Sequence, residues 1–202
     1  MSALTALAQA LGLAWSSSVS LYATVLFAGL GERLGWISLP EPLGVLANPW
    51  VLGVAGALAL VEVAASLVPG VATAWEAAHT AVRPIASAAL AVLATWGRSP
   101  ALVVVAGLLG AGVGTATQLT KLKLRTAIDA SPEPVSNGVA TTAELGTLAA
   151  FAWALWHHPW IALGVAIVLF AVAFLVARAV WGLVRRAGTW LAGTACGERR
   201  SP

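Results

Sequence analysis

The sequence predicts an all-α, polytopic membrane protein with about six hydrophobic helices, one of them short or re-entrant. Of its 202 residues, 59% are hydrophobic and 9% are charged, and the mean hydropathy is +0.88. A soluble domain carries about 25% charged residues, whereas a membrane-spanning helix needs about 20 consecutive apolar ones. Residues 1–31, 99–120 and 145–177 contain no Asp, Glu, Lys or Arg, so each of these stretches is long enough to cross a bilayer.

Prolines and charged turns separate the predicted elements of a membrane domain that covers residues 1–187. Pro49 suits the first turn of the second element, and the sequences Pro40–Pro42 and Ser131–Pro134 mark turns. Residues 188–202 form a short basic tail, which we expect in the cytoplasm. The elements are predicted at residues 3–30, 49–69, 84–96, 101–120 with a basic extension to 125, 138–156 and 159–181.

The third element is too short to span a membrane by itself. Residues 84–97 make about 21 Å of helix at 1.5 Å per residue, against about 30 Å of hydrocarbon. Extending the helix backward draws Glu76, His79 and Arg83 into the membrane. Two structures remain open: one long helix with a polar cytoplasmic third, or a separate re-entrant or interfacial helix over residues 71–82.

Lysine and arginine residues predict the orientation. With six spans both termini lie on one side, and that side receives every basic residue except Arg33 and Arg98. We therefore expect both termini in the cytoplasm. The same rule explains the net charge of +3 and the pI of about 9.8 without a nucleic-acid partner, and we expect none. The residues on the cytoplasmic side are Arg83, Lys121, Lys123, Arg125, Arg178, Arg185, Arg186, Arg199 and Arg200.

Several ionisable residues lie inside the predicted spans, where each costs about 2.5–3.5 kcal/mol on insertion scales. Glu62 is in the second element and Glu144 is in the fifth. Two interpretations remain open: a polar cavity that opens to the cytoplasm and binds a solute or relays protons, or buried ion pairs that fix helix packing, with Lys and Arg reaching the interface. The predicted ligand-site residues at this depth are Glu62, Glu76, His79, Arg83, Lys121, Arg125 and Glu144.

Glu76-x-x-His79 is half of the di-iron motif of helical bundles. Its second copy is missing, and Cys196, the single cysteine, cannot build a zinc site. We therefore expect no metal ion and no cofactor. A phosphate loop, a nucleophile elbow and a zinc-protease motif are also missing from the sequence, which places a membrane enzyme behind the other function classes.

The start of the fifth element is a candidate anion site. Ser136 or Asn137 suits its N-cap position, and a capped helix N-terminus attracts negative charge. Because Lys121 and Arg125 precede it on the fourth element, an acidic or phosphorylated solute fits there. The alternative is a well-formed loop without a ligand.

Small residues recur at a spacing that lets helix backbones approach each other. Gly110-x-x-x-Gly114 lies in the fourth element and Gly53-x-x-x-Ala57 in the second. We expect close packing within the chain, with self-association into a homo-oligomer as the alternative.

These features together resemble the bacterial membrane family catalogued as domain of unknown function 4126. The resemblance implies a bacterial inner-membrane protein, and the family name implies no activity. The family pattern has Asp-Lys at Ser66–Leu67, His at Gln118, and Asp at Ala72 and at Leu145. The resemblance is carried by Glu62, Pro69-Gly70-Val71, Trp75-Glu76-x-x-His79-Thr80-x-x-Arg83-Pro84, Lys121, Arg125, Ser131-Pro132-Glu133-Pro134-x-Ser136-Asn137 and Glu144.

The sequence thus favours a transporter or channel for a small ion or a polar, anionic solute. Glu62 and Glu144 are its expected coordinating carboxylates, with Arg83, Lys121 and Arg125 as counter-charges. The competing function is a non-transporting membrane module that binds a partner protein or lipid and uses the charges as structural ion pairs. For the protein as a whole, the expected partners are the lipid bilayer and a small solute or ion.

Overall fold

The structure, a computed structural model, describes residues 3–129 and 134–158 and the positions 160, 161, 164, 165, 167, 168, 171, 175 and 178. This part of the chain is all-α. The sixth predicted element is helical at the positions described, and the predicted basic tail, 188–202, lies outside the described residues. The helices are α1 (Ala3–Val19), α2 (Leu21–Arg33), a 3₁₀ helix (Glu41–Ala47), α3 (Pro49–Leu67), α4 (Val71–Ala78), α5 (Val82–Ala94), α6 (Pro100–Asp129) and α7 (Pro134–His157).

Three of the described helices are long and apolar enough to cross a membrane. They are α3, α6 and the part of α7 from Gly138 to His157. α4 and α5 meet the same criterion as a pair, bent by 51° at the break between them, and would make a fourth span. These helices agree with the prediction of a multi-pass membrane protein, with fewer spans in the described part than the six predicted.

The first predicted element is two helices and not one span. Ser20 has an extended backbone, with φ −146° and ψ 108°, and separates α1 from α2. Along α7, Gly12 lies against Leu155, and Trp15 packs on Phe151 with ring centroids 4.7 Å apart. α1 therefore runs antiparallel to α7, so that its C-terminal end comes beside the N-terminal half of α7.

α2 leads back in the opposite direction. Ala23 lies beside Glu144, and Gly31 shares a cavity with His157 at the other end of α7. α1 and α2 thus form a hairpin with Ser20 at its tip, and Ala3 lies at the end of the molecule away from Glu144. The sequence-based prediction of both termini on one side assumed that residues 3–30 form one span. Because they form a hairpin, that prediction does not follow from the structure.

The break between α4 and α5 excludes one continuous helix, the first of the two structures that the sequence left open. Residues 71–78 form a separate helix, and the chain turns before α5 begins. Gly70 starts α4 with φ 80°, a conformation that favours glycine. The Asp129 carboxylate at the end of α6 accepts hydrogen bonds from the Gly70 and Thr73 amides, at 3.0 and 3.1 Å. A side chain far along the chain therefore caps α4.

The predicted loop 31–48 is partly helical. α2 continues to Arg33, and the 3₁₀ helix buries Leu43 and Leu46 against the hydrophobic core. The N-terminus of α3 agrees with the prediction, because Pro49 is its first residue and the Asn48 side chain accepts a hydrogen bond from the Trp50 amide at 2.9 Å.

Glycines let α6 pack directly on α5. A Cβ atom at Gly110 would lie 2.7 Å from the Ala91 Cβ, and one at Gly114 would lie 2.7 Å from the Ser87 Cβ. The close packing predicted for this pair is thus confirmed. The prediction for Gly53-x-x-x-Ala57 is wrong within the chain, because both residues are exposed and a Cβ at Gly53 meets no atom within 4 Å.

The α5–α6 contact gives a matched pair of variants. Gly114→Ala should destabilise the protein by about 1–3 kcal/mol, because the added methyl group overpacks the contact with Ser87. Gly112→Ala on the same helix should leave the melting temperature unchanged or raise it, since a Cβ there meets nothing within 4 Å. Tryptophan-fluorescence melts of the detergent-purified variants measure both effects, and equal melts would contradict the packing described.

Candidate functional site

Six charged side chains from five helices form one alternating series, which we call the charge chain. Its order is Glu62, Arg83, Glu76, Lys121, Glu144 and Arg125, with three acids and three bases and no net formal charge. The distances are 2.5 Å for Arg83–Glu62, 2.5 Å for Arg83–Glu76, 3.0 Å for Lys121–Glu76, 3.2 Å for Lys121–Glu144 and 3.1 Å for Arg125–Glu144. The structure brings together six of the seven ionisable residues predicted to share one depth. Alternation of sign gives each of the five buried members a partner of opposite charge.

The hairpin tip is bonded to the charge chain. Ser20 Oγ donates a hydrogen bond to Glu62 at 2.5 Å. Lys121 Nζ donates to the Val19 carbonyl at 2.5 Å, and Arg83 donates to the Ser18 carbonyl at 3.4 Å. The last carbonyls of a helix have no partner within that helix, and in a bilayer such groups must be paired with protein groups. The cations of the charge chain supply those partners at the end of α1.

Gln118 lies inside the same network and is fully buried. Its Oε1 accepts from Arg83 at 2.9 Å, and its Nε2 donates to the Glu76 backbone carbonyl at 2.8 Å. Sequence reasoning did not include Gln118 or Ser20 among the site residues. Gln118 could be found from the sequence, because it lies three residues before Lys121 and therefore on the same face of the helix. The bond from Ser20 to Glu62 joins residues 42 positions apart and had no local signal.

His79 lies apart from the charge chain, although it was predicted with it. The His79 ring stacks on Trp75, with centroids 4.5 Å apart. Its Nδ1 donates to the Trp75 carbonyl at 2.8 Å, and its Nε2 forms a hydrogen bond with the Tyr22 hydroxyl at 3.0 Å. Glu76 and His79 therefore have different partners. Among the residues that the structure describes, no three His, Cys, Asp or Glu side chains are grouped to hold a metal ion.

The two halves of the charge chain differ in exposure. Glu62, Glu76 and Arg83 are 5%, 1% and 0% exposed. The Glu144 side chain is 28% exposed and bridges Lys121 and Arg125. Lys121 and Arg125 are 7% and 1% exposed, so Glu144 alone makes the second half more exposed. We call the first three members of the charge chain the buried half and the last three the exposed half.

A cavity of about 280 Å³ adjoins the exposed half, and we call it the α6–α7 cavity. Its wall combines three charged side chains with hydroxyl and apolar groups. A larger cavity of about 640 Å³, between the hairpin and α7, includes no member of the charge chain among its described lining residues; we call it the hairpin cavity. The α6–α7 cavity is lined by Trp15, Val19, Thr117, Thr120, Lys121, Leu124, Arg125, Ile128, Ala140 and Glu144.

The predicted N-cap at Ser136 or Asn137 is wrong. α7 begins at Pro134, a residue that suits the first helical position, so both residues lie within the first turn. The side chains of Ser136 and Asn137 lie outside the described residues, and their predicted contact with an anion stays a prediction.

Removal of Arg83 tests the buried half. Arg83→Met leaves Glu62 and Glu76 without their shared cation, and breaking a buried pair in this way costs about 3–5 kcal/mol. We expect a large drop in melting temperature in detergent and partial recovery when Glu62→Gln is added. Lys123→Met, at an exposed position of α6, is the control and should melt within a few degrees of the parent, because an exposed ion pair contributes less than about 1 kcal/mol. An Arg83→Met protein that melts like the parent would contradict a stabilising role for the buried half.

Comparison with known proteins places the chain in a family. A family model with the description Domain of unknown function (DUF4126) matches residues 7–179, a range that includes the whole charge chain. Searches of curated proteins and of solved structures found no match. The chain therefore belongs to the family described as Domain of unknown function (DUF4126).

Proposed function

We propose that the protein transports a small anionic solute, which binds in the α6–α7 cavity at the exposed half of the charge chain. The observation that supports this is the position of Glu144: a partly exposed carboxylate, shared by two cations, on the wall of a cavity. A cleft with a few convergent polar groups is the usual form of a ligand site. The family description names no activity, so the function is inferred from the residues of the site.

Lys121 is the residue at which a solute anion exchanges with a protein carboxylate. Its ammonium group contacts Glu76, Glu144 and the Val19 carbonyl, which accounts for its three N–H donors. An anion that binds Lys121 must displace one of these acceptors. Glu144 is the one that can leave, because it keeps its ion pair with Arg125 and is partly solvated.

Two breaks between helices, the hairpin tip and the α4–α5 break, lie next to Lys121 and its partners. Broken helices also meet at the binding sites of many transporters. The hairpin tip bonds to Lys121, and the α4–α5 break lies next to Arg83 and Glu76. A solute that draws Lys121 toward the cavity changes its bond to the Val19 carbonyl. Binding is thereby linked to the position of the hairpin tip.

The proposed orientation places the charge chain toward the cytoplasm of a bacterial inner membrane. Lys121, Lys123 and Arg125 lie near this end of α6, whereas Arg33 and Arg98 lie at the other end of the molecule. The positive-inside rule then gives the orientation. Because α1 enters from the opposite end, the start of α1 lies on the outer side in this proposal.

The alternative is a non-transporting module that binds a lipid or partner protein. The observation that favours it is the pairing of the buried half, in which Arg83 joins Glu62 and Glu76 at 2.5 Å. Such pairs fix helix packing without any ligand. The two functions differ in whether solute crosses the membrane: transport requires the Glu144 charge, whereas in the packing function Glu144 contributes only to stability through its ion pairs with Lys121 and Arg125.

Charge movement and uptake in proteoliposomes separate the two functions. The protein, reconstituted on a solid-supported membrane, is challenged with chloride, phosphate, acetate, benzoate and succinate, and uptake of the labelled solutes reveals electroneutral exchange. We expect a solute-specific signal that Glu144→Gln reduces at least about tenfold, the effect of one lost interaction of about 1.4 kcal/mol.

Glu41→Gln is the matched control, because Glu41 is an exposed carboxylate of the outer 3₁₀ helix. It should transport like the parent. Silence toward every solute from folded, inserted protein would overturn transport and support the non-transporting alternative.

A further inference from the structure

The hairpin cavity has a largely apolar wall. Its volume of about 640 Å³ lies within the range of roughly 300–1,000 Å³ that is typical of ligand pockets. Its described lining residues include no Asp, Glu, Lys or Arg. The hydroxyl groups of Ser16 and Thr24, which line it, already donate to the carbonyls of Gly12 and Ser20, each at 2.8 Å. A ligand here therefore makes mainly apolar contacts, and the neutral wall favours an uncharged group.

The depth of the hairpin cavity matches one leaflet of a bilayer. The apolar span of α7, Gly138–His157, has 20 residues, which make about 30 Å of helix and equal the thickness of the hydrocarbon core. Along α7 the cavity is lined from Leu148, near the middle of this span, to His157, at its end. The cavity thus extends over about 14 Å, from the midplane of the bilayer to its interface.

The cavity is continuous with the surface that the span presents to lipid. Ala149 and Trp153 line the cavity and are exposed on α7. At the interface end, Trp36 and Trp156 also line it, and tryptophan is the residue typical of that level of the membrane. A hydrocarbon chain of the surrounding bilayer therefore reaches the cavity without passing through the protein.

The described part of the sixth predicted element does not occupy this space. Its described positions are all exposed, and none of them lines the cavity. Water is a poor occupant, because apolar cavities stay dry. An empty cavity costs the atoms around it their dispersion contacts. The hydrocarbon chains that surround a membrane protein are the occupants that remain.

We propose that the hairpin cavity holds one acyl chain of a phospholipid, taken from the leaflet on the side away from the charge chain. The end of the chain lies beside Leu148, and the headgroup lies at the interface near Trp36 and His157. This inference does not rest on the proposed transport function, because a bound lipid is compatible with either function. In the proposed orientation the lipid belongs to the outer leaflet.

Photocrosslinking in proteoliposomes tests the proposal. The vesicles contain a phospholipid with a diazirine near the end of one acyl chain, and mass spectrometry of the digested protein locates the adducts. We expect adducts on Leu148, which lines the cavity but is buried from lipids outside the protein. Leu60, an exposed residue near the middle of α3, reports labelling by surrounding lipid and is the internal reference.

Ala152→Phe places a ring in the cavity, because Ala152 lines it. We expect the ratio of Leu148 to Leu60 adducts to fall at least about tenfold, since the ring takes the space of the acyl chain. Ala150→Phe is the matched control, because Ala150 is exposed on the same helix and does not line the cavity. It should be labelled like the parent. Ala152→Leu, a smaller change, should give a smaller decrease and serves if the phenylalanine variant does not fold.

Two outcomes would overturn the proposal. One is labelling of Leu60 without Leu148 in the parent protein. The other is an equal ratio of adducts in the parent and in the folded Ala152 variants. An alkane that carries the same diazirine distinguishes the source of the chain: labelling of Leu148 by the alkane and not by the phospholipid would overturn the lipid and support a free hydrocarbon as the occupant.

Discussion

The buried guanidinium of Arg83 is the interaction on which the rest of the structure depends. It is fully buried, and it donates to groups on α1, α3, α4 and α6: the Ser18 carbonyl, Glu62, Glu76 and Gln118. The planar, permanently charged guanidinium group can donate to several acceptors at once, in a geometry that a lysine ammonium group cannot reproduce. The end of α1 can stop inside the molecule because Arg83 and its neighbour Lys121 pair with the free carbonyls there.

The ion pairs of the buried half fix the packing of the helices, whereas in the proposed function the exposed half exchanges a protein carboxylate for a solute anion. Glu62 and Glu76 are held by Arg83 in an environment closed to solvent, where an unpaired charge would be strongly unfavourable. Glu144 has two cationic partners and partial exposure, so it can lose one partner without becoming an isolated charge. The packing and ligand-binding interpretations of the sequence therefore apply to different halves of one network.

Local energetics explain which parts of this site could be predicted from the sequence. A glutamate or lysine within an apolar span is costly wherever the chain folds, so Glu62, Glu144 and Lys121 were identified from their positions alone. The hairpin could not be predicted, because the local sequence does not distinguish Ser20 from the other serines of the same apolar run. Its hydrogen bond to Glu62 forms only in the folded chain. Likewise, the separate α4 depends on a cap from Asp129, whose distance along the chain leaves no local pattern.

The hairpin connects the two cavities of the molecule. Trp15 and Val19 line the α6–α7 cavity, while Leu13 and Ser16 of the same helix line the hairpin cavity. The last turns of α1 thus separate a cavity that Lys121, Arg125 and Glu144 line from one with no Asp, Glu, Lys or Arg among its described lining residues. The bond from Lys121 to the Val19 carbonyl holds this part of α1 in place. Under the proposed function, the group that recognises the solute is also the group that fixes the barrier between the two cavities, which gives binding a direct physical route to movement of the barrier.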